Sequence, residues 1–334
     1  KVAIVTGASR GIGEAITRIY AENGMKVVCA ARSKDAGEEL AQSIRDGGGD
    51  AVFRQTDCSD PKGIKALVDF ALKQYGQLDG VVSNAGVGMG GSPVHEYSLD
   101  DYDKVMGLNL KGVFAGMKYG AEAIFRSESQ GGFLINVASV AGLVPQRGQS
   151  LYTATKHAVV GMTKTAALDY APYNVTANAI CPGYTRTSMF DAIPAGAMDY
   201  FLQDVPSGRM GKPEECAWLA LFLASDMARY ITGAAIPIDG ALSAGAKNVI
   251  SWKHPEIRTG VKSVLNADST IAAIMENRKG VAIVEKHLPG FADNELARAA
   301  YGMTFKDLCM LPMFDIPTEQ AAALFAELDT LERL

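Results

Sequence analysis

Three side chains in the middle of the chain have the types and spacing of an acid–base site. Tyr152 and Lys156 are four residues apart on a predicted helix, which places both side chains on one face of that helix. A phenol has an ordinary pKa of about 10, and a neighbouring ammonium group stabilises its ionised form. Ser139 follows the apolar segment Phe133–Val137, and its hydroxyl can donate to a carbonyl oxygen. The set predicts proton transfer at a carbonyl or hydroxyl group, although a Tyr-x-x-x-Lys pair alone also occurs by chance on surface helices.

A glycine-rich loop near the start of the chain predicts a nucleotide site. Residues 6–13 read Thr-Gly-Ala-Ser-Arg-Gly-Ile-Gly and lie between the first predicted strand and the first predicted helix. The glycines allow a sharp turn close to a pyrophosphate, and the helix N-terminus presents unpaired N–H groups to its charge. Such a loop can also be a tight structural turn, but its place at the first strand–helix junction favours the nucleotide. The predicted contacts are Gly7, Ser9, Arg10, Gly11, Ile12 and Gly13.

The end of the second predicted strand indicates which dinucleotide binds. An acidic residue at this place would bind the ribose 2′-hydroxyl of NAD, whereas an arginine accommodates the 2′-phosphate of NADP. Here Ala31 is followed by Arg32, and Arg10 adds a second positive charge from the glycine loop. Two guanidinium groups without a carboxylate favour NADP(H), and NAD(H) stays the alternative if both arginines are only solvated surface residues.

Short apolar segments alternate with helical patterns up to about residue 245, which indicates a parallel sheet covered by helices on both faces. The predicted strands are Val2–Val5, Val27–Ala31, Val52–Gln55, Val81–Val82, Phe133–Val137, Val175–Ile180 and Ala235–Ile238. The predicted helices are Gly13–Glu22, Lys34–Arg45, Asp60–Tyr75, Leu99–Arg126 and Tyr152–Ala171. Ligands of such sheets bind beyond the carboxyl ends of the strands, so the site of this α/β doubly wound fold is expected there.

The strand pattern ends near residues 244–248. We predict residues 1–245 as a nucleotide-binding catalytic domain and residues 246–334 as a small helical extension that serves assembly. The helices predicted in the extension are Asp268–Asn277, Gly280–His287, Asn294–Tyr301, Thr304–Met310 and Thr318–Leu334.

Composition excludes several other classes of protein. The chain has 334 residues, of which 48% are hydrophobic and 21% charged, as expected of a folded protein. Its net charge of −5 lacks the basic surplus that is typical of nucleic-acid binding, and no apolar run is long enough to cross a membrane. Five widely spaced cysteines favour reduced thiols over a disulfide framework, and neither they nor the four histidines form a metal-spaced set. With no signal-like segment in the sequence, we expect a cytoplasmic protein without a bound metal.

Taken in order along the chain, these motifs resemble the classical short-chain dehydrogenases/reductases over about residues 1–245. Further family markers are an acidic residue at Asp57, the Asn-Ala-Gly motif at residues 84–86, Asn109 in the long helix, and Pro182-Gly183 with Thr187 after it. The resemblance implies a Rossmann fold and reversible hydride transfer between an alcohol and a ketone.

The resemblance also implies roles for individual residues. Tyr152 would be the general acid/base, Lys156 would lower its pKa and hold the nicotinamide ribose, and Ser139 would position the carbonyl. Asn109 would support a proton-relay water near Lys156. The remaining cofactor contacts that it implies are Asp57, Cys58, Asn84, Ala85, Gly86, Pro182, Gly183, Tyr184 and Thr187. It further implies a homo-oligomer, a tetramer or a dimer.

The substrate is predicted from the segments that flank the catalytic residues in this family. The expected contacts are apolar, which favours a hydrophobic cyclic or steroid-like ketone or its alcohol over a sugar phosphate. A 3-oxoacyl-thioester reductase is the alternative within the enzyme class. A cofactor-binding scaffold or regulator that works through its C-terminal extension is the alternative outside it. The predicted substrate contacts are Met89, Val140, Leu143, Met189 and Phe190.

Overall fold

The computed structural model describes residues 1–88, 91–127, 131–188, 202–245, 269–294, 302–309, 314 and 316–331. The chain divides into two compact units, Lys1–Ala246 and Lys247–Leu334. The division lies next to the boundary expected from the end of the strand pattern. The separate functions assigned to the two units stay predictions.

The first unit is built on a seven-stranded sheet in which every strand pairs in parallel with its neighbours. The spatial order is β3-β2-β1-β4-β5-β6-β7, so the chain reverses its direction of winding between β1 and β4. This order confirms the predicted Rossmann-type, doubly wound α/β fold. The strands are β1 Val2–Thr6, β2 Lys26–Ala31, β3 Asp50–Gln55, β4 Gly80–Ser83, β5 Gly132–Val137, β6 Val175–Pro182 and β7 Ala235–Ile238.

Helices cover both faces of the sheet, and the central strands β1, β4, β5 and β6 are buried along their whole length. Ile16 of α1 and Leu40 of α2 belong to the apolar core of one face, whereas Leu67 of α3, Met117 of α5 and Val159 of α6 belong to the core of the other. The helices are α1 Gly11–Glu22, α2 Lys34–Asp46, α3 Pro61–Tyr75, α4 Leu99–Met106, α5 Val113–Arg126, α6 Ser150–Tyr170 and α7 Pro213–Ala224.

Two of these elements differ from the expectation. The long helix predicted over Leu99–Arg126 is interrupted by a π-helical segment at Gly107–Gly112, between α4 and α5. Helix α7 was not predicted, because its sequence is apolar almost all round and shows no helical periodicity. Its buried side includes Ala217 and Ala220, while Trp218 is 54% exposed.

The second unit is a small bundle of helices with a core of its own. The helices are α8 Ile271–Met275, α9 Arg278–His287, α10 Phe305–Cys309 and α11 Thr318–Leu328. Each lies within or next to a helix expected from the sequence, while most of the helix predicted over Asn294–Tyr301 falls outside the described residues. The core packs Ile274, Val284, Phe305, Leu324 and Leu328. Within the described residues of the chain, no helix combines the length and the apolar character that a membrane crossing requires.

Candidate active site

The glycine loop connects β1 to α1 and has the backbone geometry that only glycines accept readily. Gly7 and Gly11 have φ angles of 66° and 59°, in the left-handed region that side chains with a Cβ rarely adopt. Gly13 lies where α1 meets the loop, and a Cβ there would be 2.2 Å from the carbonyl oxygen of Gly7. No side chain caps the N-terminus of α1, since Arg10 makes no capping hydrogen bond. The first-turn N–H groups are therefore available to an anion.

A hydrogen-bonded junction fixes the glycine loop to the residues that follow β4. The hydroxyl of Thr6 accepts the backbone N–H groups of Asn84 and Ala85, at 3.0 and 3.1 Å. The side-chain amide of Asn84 donates in turn to the carbonyl oxygens of Thr6 and Gly7, at 2.9 and 3.2 Å. These contacts join the carboxyl ends of β1 and β4, where the winding direction of the sheet reverses.

A cavity of about 860 Å³ opens at this edge of the sheet. The glycine cradle, the uncapped helix and the volume of the cavity fit a dinucleotide. Residues that the sequence did not identify line it beside the predicted ones, and most of these are their direct neighbours in the chain. The predicted residues in its lining are Gly7, Ser9, Arg10, Gly11, Ile12, Arg32, Cys58, Asn84, Ala85, Gly86 and Thr187. The additional ones are Ala31, Ser33, Ala36, Thr56, Val87, Gly88, Leu108 and Ser188.

Two exposed arginines line the cavity. Arg32 directly follows β2, and Arg10 comes from the glycine loop. Ser33 lines the cavity as the residue before α2. The lining thus carries two positive charges, and no acidic residue stands at the end of β2.

Several predicted cofactor residues lie near the cavity without lining it. Asp57 is exposed, and hydrogen bonds from the N–H and hydroxyl of Ser59 hold the pKa of its carboxyl below the usual range, with a smaller contribution from Arg32. Gly183 packs against β7, since a Cβ there would be 2.8 Å from the Cα of Asp239. Pro182 ends β6, and the carbonyl of Tyr184 accepts the N–H of Gly211. Gly13 does not line the cavity either, and it shapes the glycine loop through its close contact with the carbonyl oxygen of Gly7.

The three candidate catalytic side chains come together at the carboxyl end of β5, next to β4 in the sheet. Ser139 follows β5, and its hydroxyl lies close enough to the phenol of Tyr152 to lower the pKa of that phenol. The ammonium group of Lys156 lies 5.5 Å from the centroid of the Tyr152 ring. It donates to the carbonyl oxygen of Val137, the last residue of β5, at 2.8 Å. The structure thus joins α6 to β5 at the place where the sequence predicts the chemistry.

Burial sets the ionisation of the two titratable groups. Burial raises the pKa of Tyr152, and the hydrogen bond from Ser139 opposes that rise by stabilising the phenolate. Burial also lowers the pKa of Lys156 to about 8, because a charged ammonium group loses its hydration there. The lowering of the Tyr152 pKa by Lys156 stays a prediction, and in the structure the ammonium group donates to the carbonyl of Val137.

Asn109 occupies the π-helical segment and is completely buried. Its side-chain oxygen accepts the N–H of Val87 at 2.8 Å, and its nitrogen donates to the carbonyl of Val87 at 2.9 Å. The amide therefore holds the segment after β4 in place. The proton-relay role expected of Asn109 stays a prediction.

The predicted substrate contacts are only partly visible. Val140 is 2% exposed and Leu143 packs against the core on the α6 side of the sheet, and neither lines the cavity. Met89, Met189 and Phe190 lie outside the described residues. The substrate contacts stay predictions.

Comparison with known protein families agrees with the fold and the motifs. A family model described as enoyl-(acyl carrier protein) reductase matches residues 7–243. Cis-4-hydroxycyclohexanecarboxylate dehydrogenase of Sinomonas cyclohexanicum is 36% identical over 73% of this chain and 97% of its own length. The 3-oxoacyl-(acyl-carrier-protein) reductase FabG of Thermotoga maritima is 37% identical over 72% of this chain and 97% of its own length. The NADP-dependent (R)-specific alcohol dehydrogenase of Lentilactobacillus kefiri is 39% identical over 73% of this chain and 97% of its own length.

Solved structures give the same result. Levodione reductase superposes with a TM-score of 0.71 at 32% identity, over 74% of this chain and 98% of its own. A blue fluorescent protein from a metagenomic library, in complex with NADPH, superposes with a TM-score of 0.68 at 32% identity, over 73% of this chain and 98% of its own. The chain therefore belongs to the short-chain dehydrogenase/reductase family of oxidoreductases, whose members bind a nicotinamide cofactor. The match with the family model ends at residue 243, so the C-terminal unit lies beyond it.

Proposed function

We propose that this protein is an NADP(H)-dependent oxidoreductase that interconverts a secondary alcohol and a ketone. The observation that carries this proposal is the meeting of Ser139, Tyr152 and Lys156 at the carboxyl end of β5, the strand next to β4 in the sheet. A protein that only bound a cofactor would not need a phenol, a serine hydroxyl and a buried ammonium group at one place.

Each of the three residues has a distinct role in the proposed reaction. When bound, the nicotinamide cofactor supplies or accepts the hydride at the carbon that carries the oxygen. Tyr152 donates a proton to the substrate oxygen during reduction and takes it back during oxidation. Ser139 donates the hydrogen bond of its hydroxyl to the same oxygen. Lys156, held by Val137, contributes the positive charge that favours the phenolate and binds the ribose. Asn109 supports proton transfer from its position beside the segment after β4.

The preference for NADP(H) rests on the wall of the cavity that follows β2. The helix α1 and its glycine loop would hold the pyrophosphate, while Arg10, Arg32 and Ser33 would bind the 2′-phosphate. The names of the Lentilactobacillus kefiri relative and of the protein in complex with NADPH support this preference. NAD(H) is the alternative if the arginines stay in solvent.

A hydrophobic cyclic ketone is the proposed substrate, with a steroid-like ketone as its larger form. Among the relatives, one is named for a hydroxycyclohexane carboxylate and another for levodione, and these names support a cyclic substrate. A 3-oxoacyl thioester is the second candidate, because the family model and the Thermotoga maritima relative are named for reactions on acyl carrier protein.

We also propose a homo-oligomer in the cytoplasm. Large apolar side chains on the helices of the first unit support self-association, since Leu99, Phe114 and Leu168 are 82%, 52% and 79% exposed. The five cysteines are free thiols, in keeping with a reducing compartment.

Steady-state turnover tests the proposed function. NADPH and NADH oxidation would be followed with cyclic ketones, oxo-steroids, a 3-oxoacyl thioester and small sugars, for the wild type and for Arg32→Ala. We expect turnover of a cyclic ketone with NADPH, and a loss for NADPH but not NADH in the variant. Lys34→Ala, an exposed neighbour outside the cavity lining, is the matched control. Faster turnover of the thioester would select the second candidate, and equal rates with NADH would overturn the cofactor assignment.

A further inference from the structure

The backbone carbonyl of Gly148 joins two segments that flank the candidate site. It accepts the backbone N–H of Ser92 at 2.8 Å and the phenolic O–H of Tyr97 at 2.7 Å. Ser92 and Tyr97 belong to the segment between β4 and α4, while Gly148 lies between β5 and α6. We call this contact the Tyr97–Gly148 junction. It is a long-range link, because its two sides come from the ends of different strands.

The local backbone shows that the junction depends on a close approach. Gly148 has a φ angle of 75°, in the left-handed region that favours glycine. A Cβ on Gly148 would lie 3.3 Å from the Cα of Gly91. A larger residue at position 148 would therefore be strained in its own conformation and would also press on the neighbouring segment. The geometry at Gly148 keeps the two segments at van der Waals distance from each other.

The junction lies one helical turn from the candidate acid–base group. Helix α6 begins at Ser150, two residues after Gly148, and Tyr152 stands in its first turn. The N–H of Thr153 donates to the carbonyl of Gln149 at 2.8 Å, so the first turn of the helix continues directly from the junction. A change in the position of Gly148 would thus alter the space between the segment after β4 and the end of α6 that carries Tyr152.

We propose that Tyr97 is a positioning residue that determines which ketones fit the site. Through its hydrogen bond to Gly148 it fixes the spacing between the segment after β4 and the segment before α6. That spacing limits how a bulky substrate can place its oxygen at Tyr152. The inference rests on the proposed function, since it concerns the substrate of the same site. Tyr97 is not among the residues that line the cavity, and its proposed effect on the site runs through the contact with Gly148.

Substrate kinetics of the full chain test the role in specificity. Tyr97→Phe removes the hydroxyl and keeps the ring, so the fold is expected to survive. We expect kcat/KM for a bulky cyclic ketone to fall about fivefold, mainly through a higher KM, as befits the loss of one hydrogen bond. A small acyclic ketone should change less than twofold, and NADPH binding followed by fluorescence should not change. Tyr102→Phe, an exposed tyrosine on α4 outside the junction, is the matched control.

Hydrogen exchange separates failure of this inference from failure of the proposed function. In Tyr97→Phe, but not in Tyr102→Phe, amides in residues 91–97 and 146–153 should exchange faster, and this readout needs no substrate. If the wild type reduces no ketone, the proposed function fails while exchange still tests the junction. Unchanged exchange would overturn the junction. Faster exchange with the same KM for both ketones, or an equal loss in kcat for both, would overturn the role in specificity.

Discussion

Lys156 is a charged side chain held in the interior by a neutral partner. Its ammonium group is buried and donates to the carbonyl of Val137, a contact that compensates only part of the hydration lost on burial. The result is a pKa lowered to about 8. Lys156 thus loses its charge within the range in which the enzyme is expected to work, whereas burial keeps Tyr152 protonated to higher pH.

The pH dependence of kcat/KM for NADPH should show this titration. Below pH 8 Lys156 is charged and the ratio should be constant. As the pH rises through about 8 the charge is lost, and the ratio should fall about tenfold per pH unit. Because the raised pKa of Tyr152 keeps the phenol neutral there, Tyr152 should not contribute to this decline. A ratio that stayed constant up to pH 10 would contradict the assigned role of Lys156.

The sequence singles out the candidate catalytic residues, but their contacts could not be predicted from it. Tyr152, Lys156 and Ser139 stand out because their spacing places them at one end of a helix and one end of a strand. The acceptor for Lys156 is a backbone carbonyl of β5, and the amide of Asn109 pairs with the backbone of Val87. Backbone acceptors carry no signal in the residue types, so these contacts appear only when the elements pack.

At the level of elements, close packing of α1 against the end of β1 forms the cradle. Gly13 leaves no room for a methyl group, since a Cβ would be 2.2 Å from the carbonyl of Gly7 and 2.4 Å from the side-chain nitrogen of Asn84. Gly161 in α6 has room for a methyl group, because no heavy atom outside its own turn of the helix lies within 4 Å of the position that a Cβ would take. The same substitution at these two glycines therefore separates close packing from helix propensity.

Gly13→Ala and Gly161→Ala should change stability in opposite directions. Gly13→Ala should lower the free energy of unfolding by about 1–3 kcal/mol through overpacking, and should weaken NADPH binding. Gly161→Ala should raise it by about 0.5–1 kcal/mol, since alanine restricts the unfolded chain and favours the helix. Denaturant unfolding and cofactor titration measure both effects. A stable Gly13→Ala variant with normal NADPH binding would show that the cradle is not close-packed.

The order of strands and helices followed from the sequence because buried parallel strands and amphipathic helices have distinct periods. The π-helical segment at Gly107–Gly112 and helix α7 could not be predicted from the sequence. An interruption within a helix depends on a tertiary contact such as that of Asn109, and α7 is too uniformly apolar to show a period.

At the level of the whole molecule, the two units have separate hydrophobic cores. Among the described residues, the cores of the first unit extend to Ile236, and the core of the second unit extends from Ile271 to Leu331. A chain that ends at Gly245 should therefore fold and keep its turnover per site within about twofold. Light scattering should show a smaller assembly if the extension serves assembly, as we propose. Lost turnover in a folded truncated chain would contradict the independence of the units, and an unchanged assembly would contradict the proposed role.

The sequence predicted the catalytic unit far better than the extension or the substrate. The ordered motifs predict a cofactor site, because the glycine loop, Tyr152 and Lys156 each have a residue type that a particular chemistry requires. The predicted substrate contacts Val140 and Leu143 are apolar residues that lie in or against the core, and residue type does not distinguish a pocket wall from the core.

The most direct test of the account is NADPH oxidation by Tyr152→Phe with a cyclic ketone. The substitution removes only the hydroxyl that should transfer the proton, and Tyr173→Phe, at an exposed ring, is its control. We predict that the rate falls at least about a hundredfold while the affinity for NADPH, measured by fluorescence titration, stays within twofold of the wild type. A Tyr152→Phe variant that oxidised NADPH at the wild-type rate would contradict the account.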